Sequence, residues 1–268
     1  MAETPDDKPL TETGCELSIV KPLPSCPLTF MPQHVAALEL PAADSSRRAT
    51  AFAVRDENTL SALARLADAG CRRVGVLNFA SARHPGGGFE RGAQAQEEAL
   101  ARSSALHASL VSEAAAPFYR TAPGEDSCLY TDRVILSPDC PVFRDAEGRL
   151  LRSPVPATFL TCAAPNASAL QANEPERLPQ LPETFARRAA GVLAVAAHAD
   201  CDALVLGAWG CGVFGNDPDL VASVFARHLC TGGAFENRFA RVDFAVLDSA
   251  SEQVRLRAFE RAFPRGSS

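Results

Sequence analysis

Two adjacent carboxylates, Glu97 and Glu98, follow the glycine run Gly86-Gly87-Gly88 across seven residues and a glutamine, Gln96. A carboxyl group can protonate a leaving oxygen and later take a proton from an attacking water. A group of this kind can serve as general acid and then general base. Three glycines carry no Cβ, accept φ > 0 and let backbone amides lie directly against an anion. Together, the acids and the cradle suit chemistry on a phosphate-bearing sugar. Neighbours on a helix point about 100° apart, so the two acids cannot act as equivalent catalysts. One should be the acid, and the other should hold the ligand's ribose or its partner residue. The same residues also describe a Gly-rich turn ahead of a helix whose dipole favours acids in its first turn.

A second glycine cluster has the same setting. Ala203-Leu204-Val205-Leu206 predicts a short buried strand that runs into Gly207, then Gly210, Cys211, Gly212, Val213, Phe214 and Gly215. Asp217-Pro218 then starts an apolar-periodic helix, with Pro218 suited to a first-turn position. A strand, a glycine loop and a helix N-terminus again suit an anion. The spacing is neither the dinucleotide fingerprint nor a P-loop. Two such loops predict one extended phosphorylated ligand held between them. Asn78, at the end of the strand before the first loop, can hydrogen-bond that ligand's reacting ribose or cap its own turn.

The run Gly-Gly-Gly, seven residues, Gln-Glu-Glu, with Asn78 upstream, resembles the signature of the bacterial-type poly(ADP-ribose) glycohydrolases. The second loop is similar to the diphosphate-binding loop of that macrodomain-based family. The resemblance continues through Leu100 to Ser104 and Pro154 to Asn166, and covers most of the chain from about Asp56 to Phe263. His107 departs from it, standing where the family has an aromatic Tyr. The resemblance implies a three-layer α/β/α fold with a central mixed sheet. It implies that Glu98 is the acid that then activates water, and that Glu97 positions the substrate. The expected substrate is poly(ADP-ribose) or ADP-ribosylated protein, the product ADP-ribose, and the role reversal of ADP-ribosylation, as after DNA damage. No cofactor and no metal are expected. Gly86, Gly87, Gly88, Gln96 and the loop from Gly207 to Gly215 would contact the diphosphate and distal ribose, with Phe214 against the sugar. A helix N-terminus favours a charged carboxylate, so an acid here needs desolvation and the ligand's own charge to oppose that.

Two other functions share this pocket chemistry. A macrodomain that only binds ADP-ribose gains nothing from two carboxylates facing an anion. A hydrolase removing single ADP-ribose units from protein or nucleic acid uses the same ribose site.

Composition agrees with a one-domain α/β enzyme: 268 residues, 47% hydrophobic and 22% charged. The formal charge of −6 argues against sequence-independent nucleic-acid binding. The nine cysteines lack any Cys-x-x-Cys pair, which fits free thiols in a reducing compartment. Cys211 is read as structural rather than nucleophilic, and His84 as shaping the turn before the glycines. A polar, acidic N-terminus and the absence of any long apolar run predict a protein that is neither secreted nor membrane-bound. A cytoplasmic monomer is expected, with the nucleus as a second location if the source is eukaryotic.

These residues need a scaffold. Residues 1–14 read as a disordered tail, 15–55 as an extension packed on the core, 56–263 as the catalytic domain and 264–268 as a tail. The expected elements begin with a helix capped by Asp56 and running to Asp68, a strand from Val74 to Phe79 and a helix from Glu97 to Leu110. Next come a strand at Val134 to Leu136, a hairpin turning near Gly148 and a strand from Ala157 to Cys162. A Pro-rich linker from Asn173 to Pro182 precedes a helix from Glu183 to Ala199. The strand at Ala203 and helix at Pro218 follow, then a strand from Val242 to Leu247 and a helix from Ser251 to Ala262. Alternation of this kind predicts a sheet covered on both faces.

Overall fold

The computed structural model describes residues 26–39, 49–121 and 124–264. The chain runs β1 (Leu28–Phe30), α1 (Pro32–Ala36), β2 (Ala51–Arg55), α2 (Thr59–Asp68), β3 (Val74–Phe79), α3 (Gln96–Ser103), α4 (Leu106–Leu110) and α5 (Ala116–Tyr119). It continues with β4 (Val134–Arg144), β5 (Leu150–Cys162), α6 (Ala167–Asn173), α7 (Leu181–His198), β6 (Ala203–Leu206), α8 (Pro218–Leu229), β7 (Arg241–Ala245) and α9 (Val254–Ala262).

The seven strands form one sheet in the order β1-β4-β5-β3-β6-β7-β2. Only β4 opposes the rest: it pairs antiparallel with β1 and β5, whereas β3, β6, β7, β5 and β2 pair in parallel. Parallel strands are covered on both faces and so read as continuous apolar runs. That is why Val74-Gly75-Val76-Leu77 and Ala203-Leu204-Val205-Leu206 are buried throughout. Alternation along β3 sends Val74 and Val76 to one core and Leu77 to the other. The first core lies under α2 to α5, with Leu63, Leu66, Leu100, Leu106 and Phe118. The second lies under α7, α8 and α9, with Phe185, Val192, Trp209, Phe225 and Phe259. Each such side chain, fully buried, contributes on the order of 1.5–3 kcal/mol. The result is the expected three-layer α/β/α arrangement with a mixed central sheet.

Several local expectations change. Helix α2 starts at Thr59 and its cap is Asn58, not Asp56: Asn58 accepts from Ser61 N at 2.9 Å. Asp56 instead accepts from Asp248 N at 3.0 Å, tying the end of β2 to the segment after β7. The helix expected over Glu97 to Leu110 breaks at Ser104, which is extended and bridges Val142 on β4. The segment read as a linker contains a 3₁₀ helix, Pro175–Gln180, that leads directly into α7. Within the part read as an extension, β1 and β2 are edge strands of the sheet, so that boundary does not separate the sheet from its cover. The tail at 1–14 and the residues 265–268 lie outside the described residues, as does much of 15–44.

All five strands that pair in parallel end at one edge of the sheet, where ligand crevices of open α/β sheets form. Both glycine loops leave from that edge, after β3 and after β6.

Candidate active site

Two side chains, Gln96 and Glu97, fix the head of α3 against β3. Gln96 Oε1 accepts from Phe79 N at 2.9 Å, while its Nε2 donates to Leu77 O at 2.8 Å and Thr59 Oγ1 at 3.2 Å. Gln96 was expected to contact substrate. Its amide donors are instead committed to the scaffold, and only its flank reaches the cavity described below.

Glu97 and Glu98 diverge as neighbours on a helix must. Glu97 turns to β3: Oε1 accepts from Asn78 Nδ2 at 3.3 Å and Oε2 from Ser81 N at 2.7 Å. Asn78 is fully buried, on the same face of β3 as Val76, and also donates to Thr161 Oγ1 at 3.2 Å. Its contact is therefore with Glu97, while Asn78 Oδ1 is buried without a partner among the described residues. Burial pushes the Glu97 carboxyl up to about 8, and the neighbouring Glu98 charge adds to that. The hydrogen bonds from Ser81 and Asn78 act the other way.

Glu98 turns to the glycine loop. Its Oε1 accepts from Gly88 N at 2.8 Å, and its Oε2 is buried with no partner among the described residues. The loop owes this closeness to Gly87, at φ +63°, where a Cβ would fall closer than 3.0 Å to Glu98 Oε1. Ser81 Oγ accepts from the backbone N–H of His84 at 3.1 Å, within the turn that precedes the glycines.

The second loop is anchored beneath and open above. Trp209 is fully buried, and its Nε1 donates to Cys162 O at 3.1 Å. Asn216 Nδ2 bridges Pro165 O at 2.8 Å and Gly210 O at 3.0 Å. Among the described residues, the N–H groups of Gly212, Val213 and Phe214 have no hydrogen-bond partner within the chain. Val213, at 90% exposure, forms the tip. A Cβ at Gly212 meets nothing within 4 Å, and positive φ belongs to Gly210 and Gly215 instead. Gly212 thus matters for access rather than conformation. Phe214 packs on the second core and faces Tyr130, with ring centroids 6.0 Å apart. Burial pushes the Cys211 thiol up to about 12, which leaves it neutral and suits the structural reading.

Beside the second loop lies a cavity of about 500 Å³, within the range of ligand sites, and Gly86, Gly87 and Gly88 of the first loop do not line it. Phe79, Ala80, Ala95 and Gln96 form one end of its wall, and Gly210, Gly212, Val213 and Phe214 another part. Glu97 and Glu98 are not on that wall; they lie just behind residues that are. Among the described residues, Glu57 and Arg255 are the only charged side chains lining it. Arg255, held by Asp248 at 2.8 Å, was missed because nothing in the local sequence of α9 distinguishes it from other surface arginines. Among the described residues, no cluster of His, Cys, Asp or Glu could hold a metal ion.

An α/β/α sheet with two glycine loops at its strand-end crevice, one apposed to paired glutamates, defines a macrodomain-like ligand site. Residues 30–145 match the family profile "Microbial-type PARG, catalytic domain". Over 88% of this chain and 85% of its own, the poly(ADP-ribose) glycohydrolase (PARG) of Thermomonospora curvata is 48% identical, with a TM-score of 0.82. The same enzyme bound to the inhibitor ADP-HPD gives 47%, 88%, 85% and 0.79. The Deinococcus radiodurans PARG in complex with ADP-ribose is 46% identical over 89% of this chain and 94% of its own, with a TM-score of 0.81. No match to a curated protein was found. The chain belongs to the bacterial poly(ADP-ribose) glycohydrolase family.

Proposed function

We propose that this protein hydrolyses the ribose–ribose O-glycosidic bonds of poly(ADP-ribose) and releases ADP-ribose, with Glu98 as general acid and then general base. The observation that carries this reading is the Glu98 carboxylate itself. One oxygen is held by Gly88 N, and the other is buried without a partner among the described residues. The diphosphate lies along the free N–H groups of Gly212 to Phe214, where backbone dipoles suit an anion without a cationic side chain. The distal ribose then reaches the end formed by Phe79, Ala80 and Ala95, beside the glutamates. Glu98 gives its proton to the leaving oxygen as the bond from the ribose anomeric carbon breaks. Water adds to that carbon, and its proton returns to Glu98. Glu97, gripped by Asn78 and Ser81, sets the position of the α3 head and of the ribose.

The membership in this family and the likeness to structures holding ADP-ribose support polymer as the substrate. ADP-ribosylated protein is its carrier, and general nucleic-acid binding is not proposed for a chain of net charge −6. A cytoplasmic monomer is proposed: the eight described cysteines are free thiols, which suit a reducing compartment. Among the described residues, no helix is long and apolar enough to cross a membrane.

Product analysis on defined polymer, on mono-ADP-ribosylated protein and on ADP-ribosylated DNA tests the reading. Release of ADP-ribose from polymer is expected. Release from the mono-modified substrates alone would overturn it.

A further inference from the structure

The geometry of α4 points to one more working residue. We propose that His107 is a positioning residue, whose ring sets the glycine loop against Glu98; this rests on the activity proposed above.

Helix α4 is held firmly on β4. Ala105 N donates to Pro141 O at 3.0 Å, Ser104 bridges Val142, and the hydroxyls of Ser109 and Ser137 meet at 2.6 Å. The break after α3 therefore has a consequence: it swings α4 onto the strand and aims His107 at the loop. There the imidazole does two things. It lies so close to Gly86 that a Cβ on that residue would come within 2.7 Å of its Cδ2. It also stacks obliquely on Phe89, with ring centroids 4.7 Å apart. Gly86 and Phe89 bracket Gly87 and Gly88, and Gly86 O accepts from Phe89 N at 3.1 Å to close the turn. Gly88 N in turn holds Glu98 Oε1. Thus His107 supports both ends of the turn whose middle carries, among the described residues, the only hydrogen bond to the carboxyl of the proposed acid. His107 does not line the cavity. It acts through shape, as a flat ring filling the space between Gly86 and Phe89.

Removing that support loosens the turn by a fraction of an ångström at Glu98. Displacements near 1 Å at a catalytic group can cost about 10²-fold in rate. His107→Ala should therefore lower kcat on polymer about tenfold or more, with the Kd for ADP-ribose within about twofold of the parent. His107→Phe, which keeps a ring, should stay within about threefold of the parent kcat. Rates are referred to the stoichiometry of ADP-ribose binding by calorimetry, so a partly unfolded sample does not pass for a slow one. Hydrogen exchange at the Gly88 amide gives a readout independent of turnover. Protection should fall in His107→Ala and hold in His107→Phe. If His107→Ala keeps both rate and protection, or if Phe behaves like Ala in both, the placement of His107 is wrong. A parent inert on polymer would sink the proposed activity, and Gly88 protection would still decide the role of His107.

Discussion

Gly88 N donates to Glu98 Oε1 at 2.8 Å, which leaves Glu98 Oε2 buried and unpartnered among the described residues. A buried polar atom without a partner costs free energy, and on the proposed reading a ligand supplies the partner of Glu98 Oε2. The division between the two oxygens, one for scaffold and one for chemistry, gives the first test.

Glu98→Gln keeps the contact to Gly88 N through its amide oxygen but removes the titrating proton. Turnover on polymer should fall about 10²–10⁴-fold, while ADP-ribose binding persists. Hydrolysis within a few-fold of the parent would remove Glu98 from the acid's role. Glu97→Gln should lower affinity more than Glu98→Gln does, since its amide nitrogen cannot accept from Ser81 N or Asn78 Nδ2 as the carboxylate oxygens do.

Gly87→Ala tests the cradle. At φ +63° the new Cβ is strained, by about 1–2 kcal/mol, and it also meets Glu98 Oε1 and Glu97 Oε2. Turnover should drop by about 10²-fold or more with a modest fall in Tm. A variant that melts like the parent and turns over normally would show that the loop does not need to touch the acids.

Stability should respond to Glu97. Its folded value of about 8 lies above the ordinary carboxylate range near 4.5, so the folded protein holds this proton longer than the unfolded chain. The native state thus binds more protons between these values, and stability falls as pH rises through that window. The contribution is fully present below about 4.5 and lost by about 8. Melting curves across that range should show a declining Tm, and Glu97→Gln should flatten the decline. An equal slope in both proteins would assign it to other groups.

Gly212→Val and Phe214→Ala separate access from packing. Nothing lies within 4 Å of a Cβ at Gly212, so valine should leave Tm unchanged and weaken ADP-ribose by standing where the ligand passes. Phe214→Ala should cost affinity of about 1–3 kcal/mol, toward the low end for packing on a sugar. It should also lower Tm, because the ring packs on the second core. Calorimetry beside a thermal melt reads both. A fall in Tm with unchanged affinity would make Phe214 a core residue only.

The local features of this site were legible in the residues. Apolar runs marked β3 and β6, and glycines that need no Cβ marked the two loops. The first-turn acids marked the head of α3, since strand burial, turn sterics and helix periodicity are short-range properties. Side-chain partners were not legible. Asn78 could have met a ribose, but the register of β3 on β5 puts it opposite Thr161, 83 residues away, and turns it to Glu97. Gln96 belongs to the same signature as the acids, yet packing of α3 on β3 commits its amide to the backbone of that strand. Arg255 joins the cavity only because α9 folds back beside β2, and His107 faces Gly86 only because Ser104 pairs with β4. Local sequence determined which backbone could approach an anion and where acids would stand. The long-range register and helix docking alone decided which oxygen of which glutamate remained free, because a hydrogen-bond partner is chosen by position in space and not by distance along the chain.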